Sequence, residues 1–212
     1  MRNWATRAVG ELAHRRDEIN ALNVFPVPDS DTGSNMAHTM EAAVAELDNG
    51  GDVADSLALG AVRGARGNSG MVLSQVLRGV AESTVDSVID GDVFARSLQQ
   101  AVELVDRAIA EPVEGTVITV LKAAAEAADD AEAQSGATLH SIVSAAIAAA
   151  EKALERTPSQ LPALREAGVV DAGGAGLVIL LESLLAEIEG STGHTGLPEA
   201  EPTTELEVVF FL

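Results

Sequence analysis

Residues 23–36, Asn23-Val24-Phe25-Pro26-Val27-Pro28-Asp29-Ser30-Asp31-Thr32-Gly33-Ser34-Asn35-Met36, hold the densest chemistry in the chain. Pro26 and Pro28 bracket Val27 and forbid helix, since each fixes φ and lacks a backbone N–H. Two carboxylates one residue apart, Asp29 and Asp31, follow that stiff lead. Thr32, Gly33, Ser34 and Asn35 then supply a hydroxyl, a flexible backbone point, a second hydroxyl and an amide. Hard cations take carboxylate oxygens, and Mg²⁺ usually keeps one or two of them plus substrate phosphates. The same residues also suit an ordinary turn and helix cap. A calcium loop fits poorly, because the glycine falls one place early and Met40 stands where the closing glutamate belongs.

Two further glycine-rich stretches precede apolar runs: Gly64-Ala65-Arg66-Gly67-Asn68-Ser69-Gly70 and Val169-Val170-Asp171-Ala172-Gly173-Gly174-Ala175-Gly176. Backbone N–H groups at such helix starts can cradle anions. Neither stretch is a Walker A sequence, which needs Gly-Lys-Ser/Thr, nor a dinucleotide fingerprint, which needs a preceding strand. A plain helix–loop–helix connection explains either one alone. Together with the acidic pair, they suggest helix N-termini converging on one polar ligand. Thr116, after Glu114-Gly115, is a natural N-cap for another helix.

The elements that must position these residues read as helices. Ala dominates an apolar fraction of 47%, and aromatic residues are only 2%. That favours closely packed helices over a β-sandwich. Periodicity predicts helices over about residues 3–22 and 34–47, a third capped by Asp52, and a fourth carrying Val72 to Val80. A fifth carries Phe94 to Ile109 and ends at Pro112. Others span Val117 to about Ala128, Thr138 to Arg156 with a stop at Thr157-Pro158, Leu161 to Gly168, and Leu177 to Ile188. His14 and His140 fall on polar runs and read as surface residues. Asn23 either places its amide oxygen near a metal or caps the first helix. From Gly190 to Thr204 periodicity vanishes, which predicts a linker over 191–204. Residues 205–212 alternate and then turn apolar, as the first strand of a following domain would.

Thirteen basic residues against 33 acidic ones give a net charge of −20. Such a chain repels nucleic-acid backbones and accepts a nucleotide only where divalent metal neutralises the phosphates. There is no cysteine, which excludes disulfides and thiolate metal sites. The absence of a signal segment and of a bilayer-spanning apolar run makes a cytoplasmic protein with no transmembrane segment the expectation.

The Asn23–Met36 motif, Gly64–Gly70, Pro112-Val113-Glu114-Gly115-Thr116 and Gly168–Gly174 together closely resemble the N-terminal domain of bacterial fatty acid kinase. That domain is similar to the nucleotide-binding L domain of dihydroxyacetone kinase, and the resemblance covers about residues 3–190 in the right order. It implies an all-α barrel or bundle of about eight helices, with ATP and two Mg²⁺ ions held in loops at one end. Asp29 and Asp31 would be the catalytic, metal-binding carboxylates. Thr32, Gly33, Ser34 and Asn35 would lie beside the phosphates, with Asn68, Ser69 and Gly70 close by. Thr116, Asp171, Gly173 and Gly174 would border the nucleotide. The dihydroxyacetone-kinase relatives carry a third metal-binding aspartate upstream, whose nearest counterpart here is Asn23, and Ser30 replaces the glycine usual between the aspartates. The implied acceptor is a fatty acid carboxylate presented by a separate DegV-like carrier protein, giving an acyl phosphate for phospholipid synthesis. A glycerone-type kinase domain, or an ATP-binding module inactive without its other domains, are the alternatives. Further domains of the family would make the homodimer contact.

Overall fold

Asp52, Asp90, Thr116, Thr138 and Asp171 each open a helix by accepting a backbone N–H with their own side-chain oxygen. Such caps satisfy donors that the first helical turn leaves unpaired. The computed structural model describes residues 1–190 and resolves them into α1 (Arg2–His14), α2 (Arg16–Leu22), α3 (Thr32–Glu46), α4 (Val53–Gly64) and α5 (Gly67–Ser83). Then follow α6 (Gly91–Ala108), α7 (Val117–Glu132), α8 (Leu139–Gln160), α9 (Pro162–Ala167) and α10 (Ala172–Glu189). The chain is all-α; apart from one bridge between Val85 and Val88, no β-structure occurs among the described residues. The linker expected over 191–204 and the strand expected over 205–212 lie outside them.

Three boundaries differ from the periodicity. The first helix does not run unbroken to Leu22 but divides at Arg15, whose backbone leaves the helical well at φ −97°, ψ 10°. Arg15 is buried with its guanidinium on Glu18 (3.1 Å) and Glu182 of α10 (3.7 Å), so a tertiary ion pair bends the chain. Helix α8 does not stop at Thr157-Pro158 but continues to Gln160. Proline removes one helical N–H, and the Thr157 hydroxyl replaces it by donating to the Leu154 carbonyl at 2.7 Å. The last helix starts at Ala172 rather than Leu177, because Asp171 caps it early.

Eight longer helices close into a ring: α1 packs on α3, then α3 to α8 each pack on the next, and α10 bridges α8 back to α1. Short α2 continues from α1, and α9 connects α8 to α10. Two apolar clusters fill the ring and share α5 and α10. Val72 and Val76 of α5 face one cluster with Val178 and Leu181 of α10; Leu73 and Leu77 face the other with Ile179 and Leu180. A helix buried on both sides needs apolar residues all round, which explains the run Leu177–Leu181. The Trp4 indole N–H donates to the Leu180 carbonyl (3.1 Å), closing the ring between α1 and α10. No helix among the described residues is long and apolar enough to cross a membrane.

Candidate functional site

Up-and-down connection brings every second helix start in the ring to the same end. The N-termini of α3, α5, α7 and α10 there surround a cleft of about 520 Å³, with the α6 C-terminus and the 23–31 loop at its rim. Each start contributes the positive end of a helix dipole.

The 23–31 loop is held by Asn23, which is buried at the C-cap of α2. Its amide oxygen accepts the N–H groups of Asp31 (3.0 Å) and Thr32 (3.4 Å). Its amide nitrogen donates to the carbonyls of Phe25 (3.4 Å) and Val27 (3.3 Å). The Phe25–Pro26 peptide is cis, and Ser30 takes a left-handed φ of 55°. Asp29 is exposed and Asp31 half-buried, and both face the cleft. Asp31 is the N-cap residue of α3, yet its side chain caps nothing.

Helix α5 supplies Gly67, Asn68 and Ser69. Gly67 has φ 60°, and a Cβ there would lie 2.7 Å from the Asn35 amide nitrogen. Only glycine suits both the dihedral and that close approach. The N-cap of α5, Arg66, makes no side-chain cap bond. At α7, the Thr116 hydroxyl accepts the Ile118 N–H (3.4 Å) and donates to the Val113 carbonyl (2.7 Å). Thr119 pins the preceding loop by accepting the Gly115 N–H (2.9 Å) and donating to Glu114 (2.8 Å).

At α10, Asp171 accepts the Gly174 N–H at 2.7 Å, and the N–H groups of Gly173 and Val117 also serve its carboxylate. One carboxylate thus joins the starts of α7 and α10. Burial pushes its pKa up to about 6, against the opposing pull of those N–H bonds. Its own N–H donates to the Thr157 hydroxyl (3.0 Å). Three of the four helix starts are therefore satisfied from within the protein. The start of α5, with no side-chain cap, is the one best placed to receive an anion.

Of the residues singled out from sequence, Asn23, Asp29, Asp31, Thr32, Asn35, Asn68, Ser69, Thr116, Asp171 and Gly173 line the cleft. Gly33, Ser34, Gly70 and Gly174 do not. A Cβ on Gly33 would collide with the Arg16 carbonyl oxygen of α2, and one on Gly70 with the Thr39 hydroxyl of α3. Those two glycines let helices approach. The Ser34 hydroxyl accepts from the Asn20 amide (3.0 Å), and Gly174 packs 2.8 Å, at a built Cβ, from Val120. Three residues outside those motifs support the site: Asn20 and Thr157 bond to residues 14 away in sequence, and the Thr119 hydroxyl bonds to the adjoining loop. An apolar wall of Phe25, Met71, Ile109, Val113, Val117 and Ile118 completes the cleft.

Among the described residues that line the cleft there is no Lys, Arg or His, whereas Asp29, Asp31, Glu111 and Asp171 are present. Among the described residues no three acidic or histidine side chains group closely enough to hold an ion unaided. A divalent ion at Asp29 and Asp31 would complete its shell with water or ligand oxygens, as Mg²⁺ commonly does.

Residues 26–186 match the family model described as the DAK2 domain. Protein YloV of Bacillus subtilis (strain 168) is 41% identical over 187 residues, covering 85% of this chain and 34% of the relative. An uncharacterized protein of Staphylococcus aureus (strain USA300) is 40% identical over 185 residues, covering 84% and 34%. The chain thus spans about a third of the length of these relatives. Among solved structures, the dihydroxyacetone kinase from C. freundii in complex with AMP-PNP and Mg²⁺ superposes with a TM-score of 0.62 at 20% identity. That superposition covers 88% of this chain and 33% of the other, and the native form gives a TM-score of 0.56. The fold is that of the helical part of dihydroxyacetone kinase, and this chain belongs to the DAK2-domain family.

Proposed function

We propose that the cleft binds Mg·ATP and that the chain is the nucleotide-binding part of a kinase. The observation carrying this reading is a cleft with two metal-competent carboxylates, an uncapped helix start and, among the described residues, no cationic side chain in its lining. Polyphosphate entering such a site needs divalent metal, and Asp29 and Asp31 are the residues to hold it. Mg²⁺ supplies charge neutralisation to the phosphates. The N–H groups at Gly67–Ser69 steady the phosphate oxygens, with the Thr32 hydroxyl and the Asn35 amide beside them. The apolar wall of Met71, Ile109, Val113 and Ile118 offers the base a water-poor surface. The complex of the C. freundii dihydroxyacetone kinase with AMP-PNP and Mg²⁺ supports this assignment.

For the acceptor we propose a fatty acid carboxylate presented by a separate fatty-acid-binding carrier protein. A carboxylate oxygen attacks the γ-phosphorus, the bond from that phosphorus to the ADP oxygen breaks, and an acyl phosphate and ADP result. A carboxylate is already ionised near neutral pH and needs no general base. The motif resemblance at Asn23–Met36 supports this acceptor over glycerone.

Calorimetric titration of ATP tests the nucleotide reading. Binding is expected with Mg²⁺, and its loss with EDTA or in Asp31→Ala. Equal binding in EDTA would sink the metal role. Incubating Mg·ATP with carrier-loaded fatty acid or with dihydroxyacetone, and following ADP release, decides the acceptor. Turnover of dihydroxyacetone alone would replace the fatty acid reading by the glycerone one.

A further inference from the structure

Four aspartates stand at N-cap positions among the described residues: Asp31, Asp52, Asp90 and Asp171. Asp52, Asp90 and Asp171 have extended backbones, with ψ of 140°, −170° and 125°, and each caps its own helix. Asp31 does neither: its ψ is −6° and its carboxylate accepts no cap bond. Of the two N–H groups that a cap at Asp31 would serve, those of Gly33 and Ser34, the second is taken by α2, and the N–H of Thr32 beside them is taken by the α2 C-cap. The Ser34 N–H, third in α3, donates to the Asn20 amide oxygen at 3.1 Å. The Thr32 N–H, first in α3, donates to Asn23. Asn20 also donates to the Ser34 hydroxyl, so its amide is fixed at both ends. Gly33 makes this reach possible, since any side chain there would push α2 away.

We propose that Asn20 is a positioning residue for the metal carboxylate: by capping α3 from α2, it frees Asp31 to face the cleft. The proposal rests on the magnesium reading of Asp29 and Asp31. Aspartate is among the best N-cap residues, and a carboxylate is favoured at a helix start by the dipole. An uncapped α3 would therefore recruit Asp31, and a carboxylate bonded to its own helix has fewer lone pairs for a cation. Asn20 removes that competition with a neutral amide. It adds no charge to the phosphate-binding end and, lying outside the cleft lining, touches no ligand there.

A double-mutant cycle on thermal melting in EDTA tests this without any nucleotide. Asp31→Ala alone is expected to leave the melting temperature of the chain unchanged, because its side chain caps nothing. In an Asn20→Ala background Asp31 becomes the cap, and Asp31→Ala then lowers the midpoint by about 2–4 °C. In parallel, the Mg²⁺ concentration that half-saturates ATP binding rises about 10- to 100-fold in Asn20→Ala, as for other residues that orient metal ligands. Asn20→Asp keeps the acceptor for the Ser34 N–H, so in that background Asp31→Ala again leaves the melting midpoint unchanged. Equal effects of Asp31→Ala in the wild-type and Asn20→Ala backgrounds, with an unchanged Mg²⁺ requirement, overturn the proposal. Coupling in the melts without Mg·ATP binding by the wild-type chain supports the clamp and sinks the magnesium reading. Mg·ATP binding without coupling sinks the clamp alone.

Discussion

Asp171 spends its carboxylate on the starts of two helices, and burial raises its pKa from 3.8 to about 6. The folded state thus holds this proton more tightly than the unfolded chain does. The resulting stabilisation is present in full below pH 3.8 and is lost as pH rises through about 6. Asp171→Asn puts an amide N–H₂ against backbone donors and leaves one of them unpaired, at a cost of about 1–3 kcal/mol. Urea melts between pH 4 and 7 check both statements. The wild type should lose stability relative to Asp171→Asn across that interval, and a constant difference would mean that Asp171 does not titrate there. The half-buried Asp52 behaves oppositely, its carboxylate held below its usual range by the Ser87 hydroxyl and two helix N–H groups. Taking the difference between variant and wild type cancels that contribution. At this scale, carboxylates of one chemical kind do different work: Asp171 and Asp52 tie helix ends, while Asp29 and Asp31 are left facing the cleft.

Close approach between α2 and α3 depends on a single missing side chain. Gly33→Ala places a methyl group into the Arg16 carbonyl, 3.0 Å from both Asn20 and Ile19. Overpacking of this kind costs about 1–3 kcal/mol. Because α2 must shift, the Asn20 and Asn23 bonds lengthen as well, so Mg·ATP affinity should fall together with the melting temperature. A melt combined with titration would show this; lost affinity at unchanged stability would instead place Gly33 beside the phosphates, as its motif implied. The other loops use the same economy. Thr157 repairs the gap that Pro158 leaves in α8 and receives the Asp171 N–H with the same hydroxyl. One buried side chain thereby ties the last turns of α8 to the start of α10.

Across the whole molecule, an up-and-down ring collects four helix starts at one end, while a net charge of −20 repels polyphosphate. Metal-bound nucleotide reconciles the two. Ligand that binds only the folded state stabilises it by about 2.7 kcal/mol at a hundred times its dissociation constant. For a chain of this size that corresponds to an upward shift of roughly 5–10 °C in the melting midpoint. Mg·ATP should give this shift, ATP in EDTA should give none, and Asp31→Ala should abolish it. A full shift without metal would mean that the cleft holds polyphosphate without a divalent ion.

The helices and the acidic loop are legible along the chain. Caps such as Asp52, Thr116 and Thr138 bond within three residues, and apolar periodicity is local, so both are written along the chain. The same holds for Pro26 and Pro28, which bar helix ahead of Asp29. Packing sets where the chain bends at Arg15, since Glu182 of a distant helix supplies the partner. It also decides which motif glycines face the cleft and which merely let helices touch. The capping of α3 by Asn20 joins residues 14 apart across a helix contact, and no spacing rule anticipates it. Local bonds are fixed by neighbours in sequence, whereas the direction in which Asp31 points is fixed by which distant amide reaches its helix first.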